Sequence, residues 1–291
     1  MIALAPSLPH GPHPETGHCQ EALSCQESPS TDWQRRVAHA FSRAAPRYRE
    51  LARAQAIMAD MLLPHLPSSA QQVLDVGCGP GDLTRVLSHR YPQASLTGLD
   101  LSAAMLVEAR RYTPAPFSER IQWLCGDAQQ LPLEAGSQDL VVSNLAIQWC
   151  PDLKQTLQEI RRVTKAGGKA VINTLAPGTL QEIQQAWSPS AADGSTGDTG
   201  VLAFHLRQTH IEAAYAAGWA QVTVNQQRQR FFYPDLKDVM DSIKGVGAQV
   251  PRQGAHLTRR DIATARARYE RLRQPEGLPV SYELLTLVLH A

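Results

Sequence analysis

The stretch Val73-Leu-Asp-Val-Gly-Cys-Gly-Pro-Gly-Asp82 holds the residues with the clearest chemical purpose. An apolar run carries Asp75 and gives way to three glycines at alternate positions, Gly77, Gly79 and Gly81. Glycine suits a backbone that must take positive φ or let a ligand approach closely. Leu83, Val86 and Leu87 then follow at helical spacing, so the turn delivers a ligand to a helix N-terminus, whose N–H groups can hold a carboxylate. A dinucleotide fingerprint would read Gly-x-Gly-x-x-Gly and seat a pyrophosphate. Here the spacing is Gly-x-Gly-x-Gly, and the acid before it repels phosphate but can pair with an ammonium group. An amino-acid moiety satisfies both halves; a tight strand–helix turn without a ligand is the plain alternative.

Two further strands end in acids. Ser95-Leu-Thr-Gly-Leu-Asp100 places its carboxylate nineteen residues past Gly81, where a ribose-binding acid is expected, and Ile121-Gln-Trp-Leu-Cys-Gly-Asp127 ends the same way. The glycine loop and these strand ends together resemble the cofactor half of the S-adenosylmethionine-dependent methyltransferases. The resemblance implies S-adenosylmethionine as cofactor. Its methionine end would lie on the loop of Asp75, Gly77, Gly79 and Gly81. Asp100 would receive the ribose hydroxyls, with Leu101 and Met105 beside it, and Asp127 and Ala128 would border the adenine. Asn144, at the end of a fourth strand, would face the methyl group.

The elements that must position these residues follow from the hydrophobic pattern. From about Gln71 to Thr174, strand and helix alternate, the mark of a doubly wound parallel sheet whose ligand lies at the strands' carboxyl ends. Strands are predicted at Gln72–Val76, Ser95–Leu99, Ile121–Cys125, Asp139–Asn144 and Lys169–Leu175, with Ala166-Gly-Gly168 as the turn into the fifth. Ser102 is the expected N-cap of the helix holding Met105, Leu106 and Ala109. Ala220–Tyr233 and Pro279–Leu289 complete seven strands. The fold class is therefore α/β, a Rossmann-like seven-stranded methyltransferase sheet with helices on both faces and a helical cap. The expected parts are a flexible tail at 1–30, cap helices at 31–67, a cofactor core at 68–177, and the remaining strands and cap helices at 178–291, with a flexible loop at 188–200. In the first cap segment Val37, Phe41, Ala44, Tyr48, Leu51 and Gln55 draw one helical face, and Pro46 should break it near Ala45. On spacing alone, Tyr48 and Gln55 read as parts of a packing helix.

Composition bounds the rest. The chain has 291 residues, 43% of them hydrophobic, and a net charge of +1, enough for a core of one or two domains. Residues 228–273 carry eleven Lys/Arg against five Asp/Glu, making one end basic. Five scattered cysteines, with no Cys-x-x-Cys pair, argue against zinc and against a disulfide framework. The tail histidines, His10, His13 and His18, read as solvated, and no metal site is expected. With no apolar run of membrane-spanning length and no basic, apolar leader, a cytoplasmic, reduced protein is expected, with no membrane or nucleic-acid partner, acting as a monomer.

Acceptor chemistry is read from the fourth strand end, Ser143-Asn-Leu-Ala-Ile-Gln-Trp149. It lacks the Pro-Pro-aromatic motif of enzymes that methylate nucleobase nitrogens, and Trp149 reads equally as an acceptor wall or as core. No nucleophile–base constellation is recognisable anywhere. Methyl transfer to a carboxylate needs none, because that acceptor is ionised at neutral pH; alignment in a dry pocket suffices.

Three stretches then resemble one family: Phe41-Ser-Arg-Ala-Ala-Pro-Arg-Tyr48 with Gln55, the Ser143–Trp149 stretch, and Ser242-Ile-Lys-Gly-Val-Gly247. They are similar to the malonyl-acyl-carrier-protein O-methyltransferases of biotin biosynthesis, over roughly Trp33 to Ala291. The resemblance implies methylation of a malonyl carboxylate on an acidic acyl carrier protein, with the basic 228–273 face as its dock. Tyr48 would position the substrate without acting as a base, Phe41, Gln55, Gln148 and Trp149 would contact the substrate, and Lys244 would border the pantetheine channel. On the last cap helix Ile262, Ala265, Tyr269 and Leu272 would be buried, turning the arginines outward. The tail before Trp33 and the 188–200 loop depart from the family pattern. Rival readings are a methyltransferase for a quinone carbon or a free polycarboxylate, a non-catalytic cofactor-binding partner subunit, and, more weakly, a nucleic-acid binder.

Overall fold

The computed structural model describes residues 31–187, 202–245 and 259–291; the expected 1–30 tail, the 188–200 loop and the end of the Ser242–Gly247 stretch lie outside them. Three helical pieces come first: α1 (Asp32–Ala44), α2 (Tyr48–Leu51) and α3 (Arg53–Asp60). Pro46 sits in the 3-10 turn Ala45–Arg47 that breaks the helix where expected, and a second break at Ala52 divides the piece that follows. Thr31 starts α1 with a reciprocal cap, accepting the Gln34 N–H while the Gln34 side chain accepts the Thr31 N–H.

Strand and helix then alternate through β1 (Gln72–Val76), α4 (Asp82–Arg90), β2 (Ser95–Asp100), α5 (Ala103–Arg111), the single turn α6 (Ala115–Ser118), β3 (Ile121–Cys125), β4 (Gln138–Asn144), α7 (Leu153–Val163) and β5 (Thr164–Leu175). After α8 (Gln181–Trp187) and α9 (Arg207–Ala216), β6 (Gln221–Tyr233) leads into α10 (Leu236–Lys244), α11 (Arg259–Glu270) and β7 (Leu278–His290). The sheet runs β3-β2-β1-β4-β5-β7-β6. The pairs among β1 to β5 are parallel, and β7 is antiparallel to both neighbours. Strand order reverses between β1 and β4, so their loops diverge and leave a crevice for a ligand.

Side chains alternate across the sheet as the pleat requires. Leu74, Ile172, Leu285 and Leu287 join Leu157 and Ile160 of α7 on one face. Val73, Val171 and Val288 join Leu83 and Leu87 of α4 and Leu106 of α5 on the other. Each such buried aliphatic side chain stabilises the fold by roughly 1.5–3 kcal/mol. A third cluster packs Met58, Ile183, Val239 and Tyr269 of the cap helices on Val280 and Leu284 of β7.

Two expectations need correction. The fifth strand starts at Thr164 rather than Lys169, because the Gly167–Gly168 pair is taken up inside it as a register shift against β4. Ile262 of α11 is 49% exposed; burial on that helix begins at Ala265 and continues at Tyr269. Cys78 and Cys150 are free thiols. Among the described residues no helix is long and apolar enough to cross a membrane, and no group of three His, Cys, Asp or Glu is placed to hold a metal ion.

Candidate functional site

The carboxyl ends of β1 to β4 and the inner side of α1 and α2 enclose one cleft. Its floor is the glycine loop. Gly77 (φ 72°) donates its N–H to Leu99 O at 2.7 Å, and a Cβ placed there would overlap the Cβ of Ala146 in the loop after β4. Gly79 (φ 53°) donates to Asp100 Oδ2 at 2.8 Å, and a Cβ there would meet nothing within 4 Å. Gly81 is the N-cap of α4 and packs against the Trp123 ring instead of lining the cleft.

Asp75 is also off the cleft wall. It is 2% exposed, beneath the loop, and accepts a hydrogen bond from Thr84 Oγ1 at 2.6 Å, tying β1 to the first turn of α4. Burial pushes its carboxyl up to about 7, with the Thr84 bond opposing the rise. Direct pairing with a ligand's ammonium group, expected from the sequence, is not what this placement offers; the strand buries the residue before the chain reaches the open end of the sheet.

Asp100 does line the cleft, its Oδ1 taking the Ser102 N–H at 2.8 Å, and burial raises its carboxyl to about 6. Leu101, Met105, Asp127, Ala128 and Asn144 line it as well. Asn144 Nδ2 donates to Gln55 O at 3.1 Å. Its Oδ1 accepts from Asn173 Nδ2 at 3.1 Å, and the same Asn173 Nδ2 donates to Met58 O at 2.6 Å. These bonds fasten α3 to the ends of β4 and β5.

Of the expected substrate residues, the structure brings Phe41, Tyr48 and Trp149 together on the cleft wall. Phe41 meets Trp149 edge-on with centroids 5.5 Å apart, and Trp33 stacks on the same ring at 6.4 Å. Three other expected substrate residues do not line the cleft. Gln148 braces the β4 loop, donating to Leu145 O at 2.8 Å and accepting from Thr174 Oγ1 at 3.3 Å. Lys244 is exposed at the end of α10, where Gly245 packs against Leu51. Gln55 touches the site only through its backbone oxygen, and its Oε1 is buried without a partner.

Sequence reasoning missed Gln34, Leu145 and Gln129, all lining the cleft. Gln34 was legible in principle from the Thr31-x-x-Gln34 capping pattern. Leu145 takes a left-handed backbone (φ 56°) beside Ala146, a strained state for leucine that carries no sequence signal.

Residues 74–172 match the family described as Methyltransferase domain. The chain is 36% identical over 260 residues to the bifunctional biotin biosynthesis protein BioHC of Cellvibrio japonicus; the match covers 88% of this chain and half of that longer protein. It is 34% identical over 262 residues to a malonyl-[acyl-carrier protein] O-methyltransferase of Methylovorus sp., covering 86% of each. A protein of the same description from Pectobacterium atrosepticum is 36% identical, with 87% of this chain and 95% of the relative covered. The chain belongs to this O-methyltransferase family. Among solved structures, YcgJ of Bacillus subtilis (TM-score 0.56, 16% identity, 80% of this chain and 97% of that one) and a putative methyltransferase of Bacillus halodurans (0.57, 14%, 80% and 97%) share the fold.

S-adenosylmethionine is the cofactor of this methyltransferase, and it supplies, when bound, a methyl group on a sulfonium sulfur. The residues present fit it. Gly79 leaves open space against the loop where any side chain would intrude. The buried Gln129 Oε1 on the cleft wall lacks a donor, which a base amine can provide. Asp100 and Asp127 each keep lone pairs beyond those their backbone donors occupy.

Proposed function

We propose that the acceptor is the free carboxylate of a malonyl thioester carried on acyl carrier protein, methylated early in the pimeloyl-forming part of biotin synthesis, by a cytoplasmic monomer that binds neither membrane nor nucleic acid. The observation that carries this reading is that none of Phe41, Tyr48 and Trp149, the expected substrate residues on the described cleft wall, can take a proton at neutral pH. No histidine or lysine lines it. Burial raises the Tyr48 phenol far above its usual value, with Asp100 and Asp82 adding to the rise. Burial likewise pushes the Cys150 thiol up to about 12. Asp127 is committed to Gln34 and Gln129, and Asp100 to Gly79 and Ser102.

A neutral acceptor would have to lose a proton to one of these groups, whereas a carboxylate arrives ionised. With the sulfonium's methyl supplied, the carboxylate oxygen would accept the group with no proton to be removed. Phe41 and Trp149 keep water from the reacting atoms, and the Tyr48 hydroxyl, which stays protonated, donates to the acceptor.

The relatives named for malonyl-acyl-carrier protein support the same acceptor. For the carrier protein, Arg230, Lys244, Arg266 and Arg271 are exposed on the basic 228–273 face, while Arg228 pairs with Glu283, Lys237 with Asp241 and Arg273 with Glu270. The test is to incubate the protein with S-adenosylmethionine and malonyl-carrier protein, with acetyl-carrier protein as control, and follow the acceptor's mass. One methyl gained on the malonyl form alone is expected. Methylation of neither form, with the cofactor bound, would reject the acceptor and favour a quinone carbon, a free polycarboxylate or a non-catalytic role.

A further inference from the structure

Adjacent residues on the first turn of α1 fasten it across the cleft from both sides. Gln34 Nε2 donates to Asp127 Oδ2 at 2.5 Å, beyond β3, and Trp33 Nε1 donates to Trp149 O at 2.9 Å, beyond β4. The Gln34 amide is oriented from its other end. Its Oε1 accepts the Thr31 N–H at 2.6 Å, and its own backbone N–H donates to Thr31 Oγ1 at 3.3 Å. With Oε1 turned to a backbone donor, the two-donor Nε2 faces the carboxylate. Asp127 is thus held by one donor on each oxygen, since Gln129 N donates to Oδ1 at 2.9 Å, and both oxygens retain a further lone pair. Gln34 is 8% exposed and itself lines the cleft. The same helix carries Phe41, and Tyr48 follows one break later, so whatever seats α1 also sets the acceptor wall.

We propose that Gln34 is a positioning residue for the cofactor. It fixes the Asp127 carboxylate in the orientation that receives the adenosine half of S-adenosylmethionine. Through that bond it makes the seating of α1, and of Phe41 and Tyr48, depend on the cofactor site. The inference rests on the assignment of Asp127 to the cofactor.

The test is a double-mutant cycle on the full chain, with S-adenosylhomocysteine as the titrated probe in calorimetry. Gln34→Met keeps side-chain length and helix preference while removing the amide's oxygen and nitrogen. The expected result is an affinity loss of about tenfold for Gln34→Met, the scale of one hydrogen bond to a charged group. In the Asp127→Ala background that loss should shrink below about twofold, because residues acting through one another are not additive. Equal losses in the two backgrounds, or unchanged affinity in Gln34→Met, overturn the proposal. Unchanged affinity in Asp127→Ala alone overturns the assignment beneath it and the proposal with it. Thr31→Ala weakens the helix cap but leaves Nε2 in place; it should lower the melting temperature and keep probe affinity within about twofold. A tenfold affinity loss there would reduce Gln34 to helix stability and also overturn the proposal.

Discussion

Tyr48 packs on Met105 and lines the cleft from α2, in surroundings where burial, and then the charges of Asp100 and Asp82, hold its phenol protonated. It can donate a hydrogen bond but not take a proton. Tyr48→Phe should therefore lower kcat by about tenfold, the scale of one hydrogen bond to a charged acceptor, and leave cofactor affinity unchanged; steady-state kinetics beside calorimetry would show the split, and wild-type turnover would sink the role. Asp75 makes a prediction of a different kind. Its carboxyl rises from an ordinary 3.8 to about 7 on folding, so between those values the folded state binds more protons than the unfolded one. Its contribution to stability is best below 3.8 and is lost as pH rises through about 7. Denaturant unfolding of the cofactor-free protein at pH 5 and pH 8 should show a loss of a few kcal/mol on the order expected for such a shift. Asp75→Asn, which can still accept from Thr84, should flatten that part of the slope.

At the scale of elements, the glycine loop offers a paired experiment. Gly79→Ala puts a methyl into open space at φ 53°, so it should fold, with a cost of about 1–2 kcal/mol for the left-handed backbone, and lose cofactor affinity by more than about tenfold. Gly77→Ala drives a methyl into Ala146 and should cost stability first, seen as a lowered melting temperature that added cofactor does not restore. The loop and the seven strands were legible because glycine spacing and period-two apolar runs are local signals. So was the break at Pro46. What the sequence hid was set by tertiary approach. Asp75 reads as a strand-end acid but is buried under the loop, Gln148 reads as a substrate residue but holds Leu145 and Thr174, and Leu145 looks like any other leucine. Lys244 sits in a recognisable stretch, yet nothing local says that its helix ends in solvent.

At the scale of the molecule, β7 is the member that everything else leans on. It is hydrogen-bonded to β5 and β6, and it is buried along nearly its whole length. Leu287→Ala, removing a fully buried side chain from the core cluster that also holds Leu157 and Ile160 of α7, should cost about 2–5 kcal/mol. It should also shift secondary-structure and tryptophan-fluorescence unfolding together; separated transitions would contradict a single cooperative sheet. The contact of Gly77 with Ala146 reaches furthest. Ala146 stands in the loop that carries Leu145 and leads to Trp149, so the two halves of the site meet where the Ala146 methyl fills the space that a side chain on Gly77 would need. A lineage, or an engineer, seeking room for a bulkier acceptor by shifting that loop would shift the glycine turn with it. Substrate range in this enzyme should therefore evolve by trimming Phe41 and Trp149 in place, with the loop's path left as a fixed inheritance.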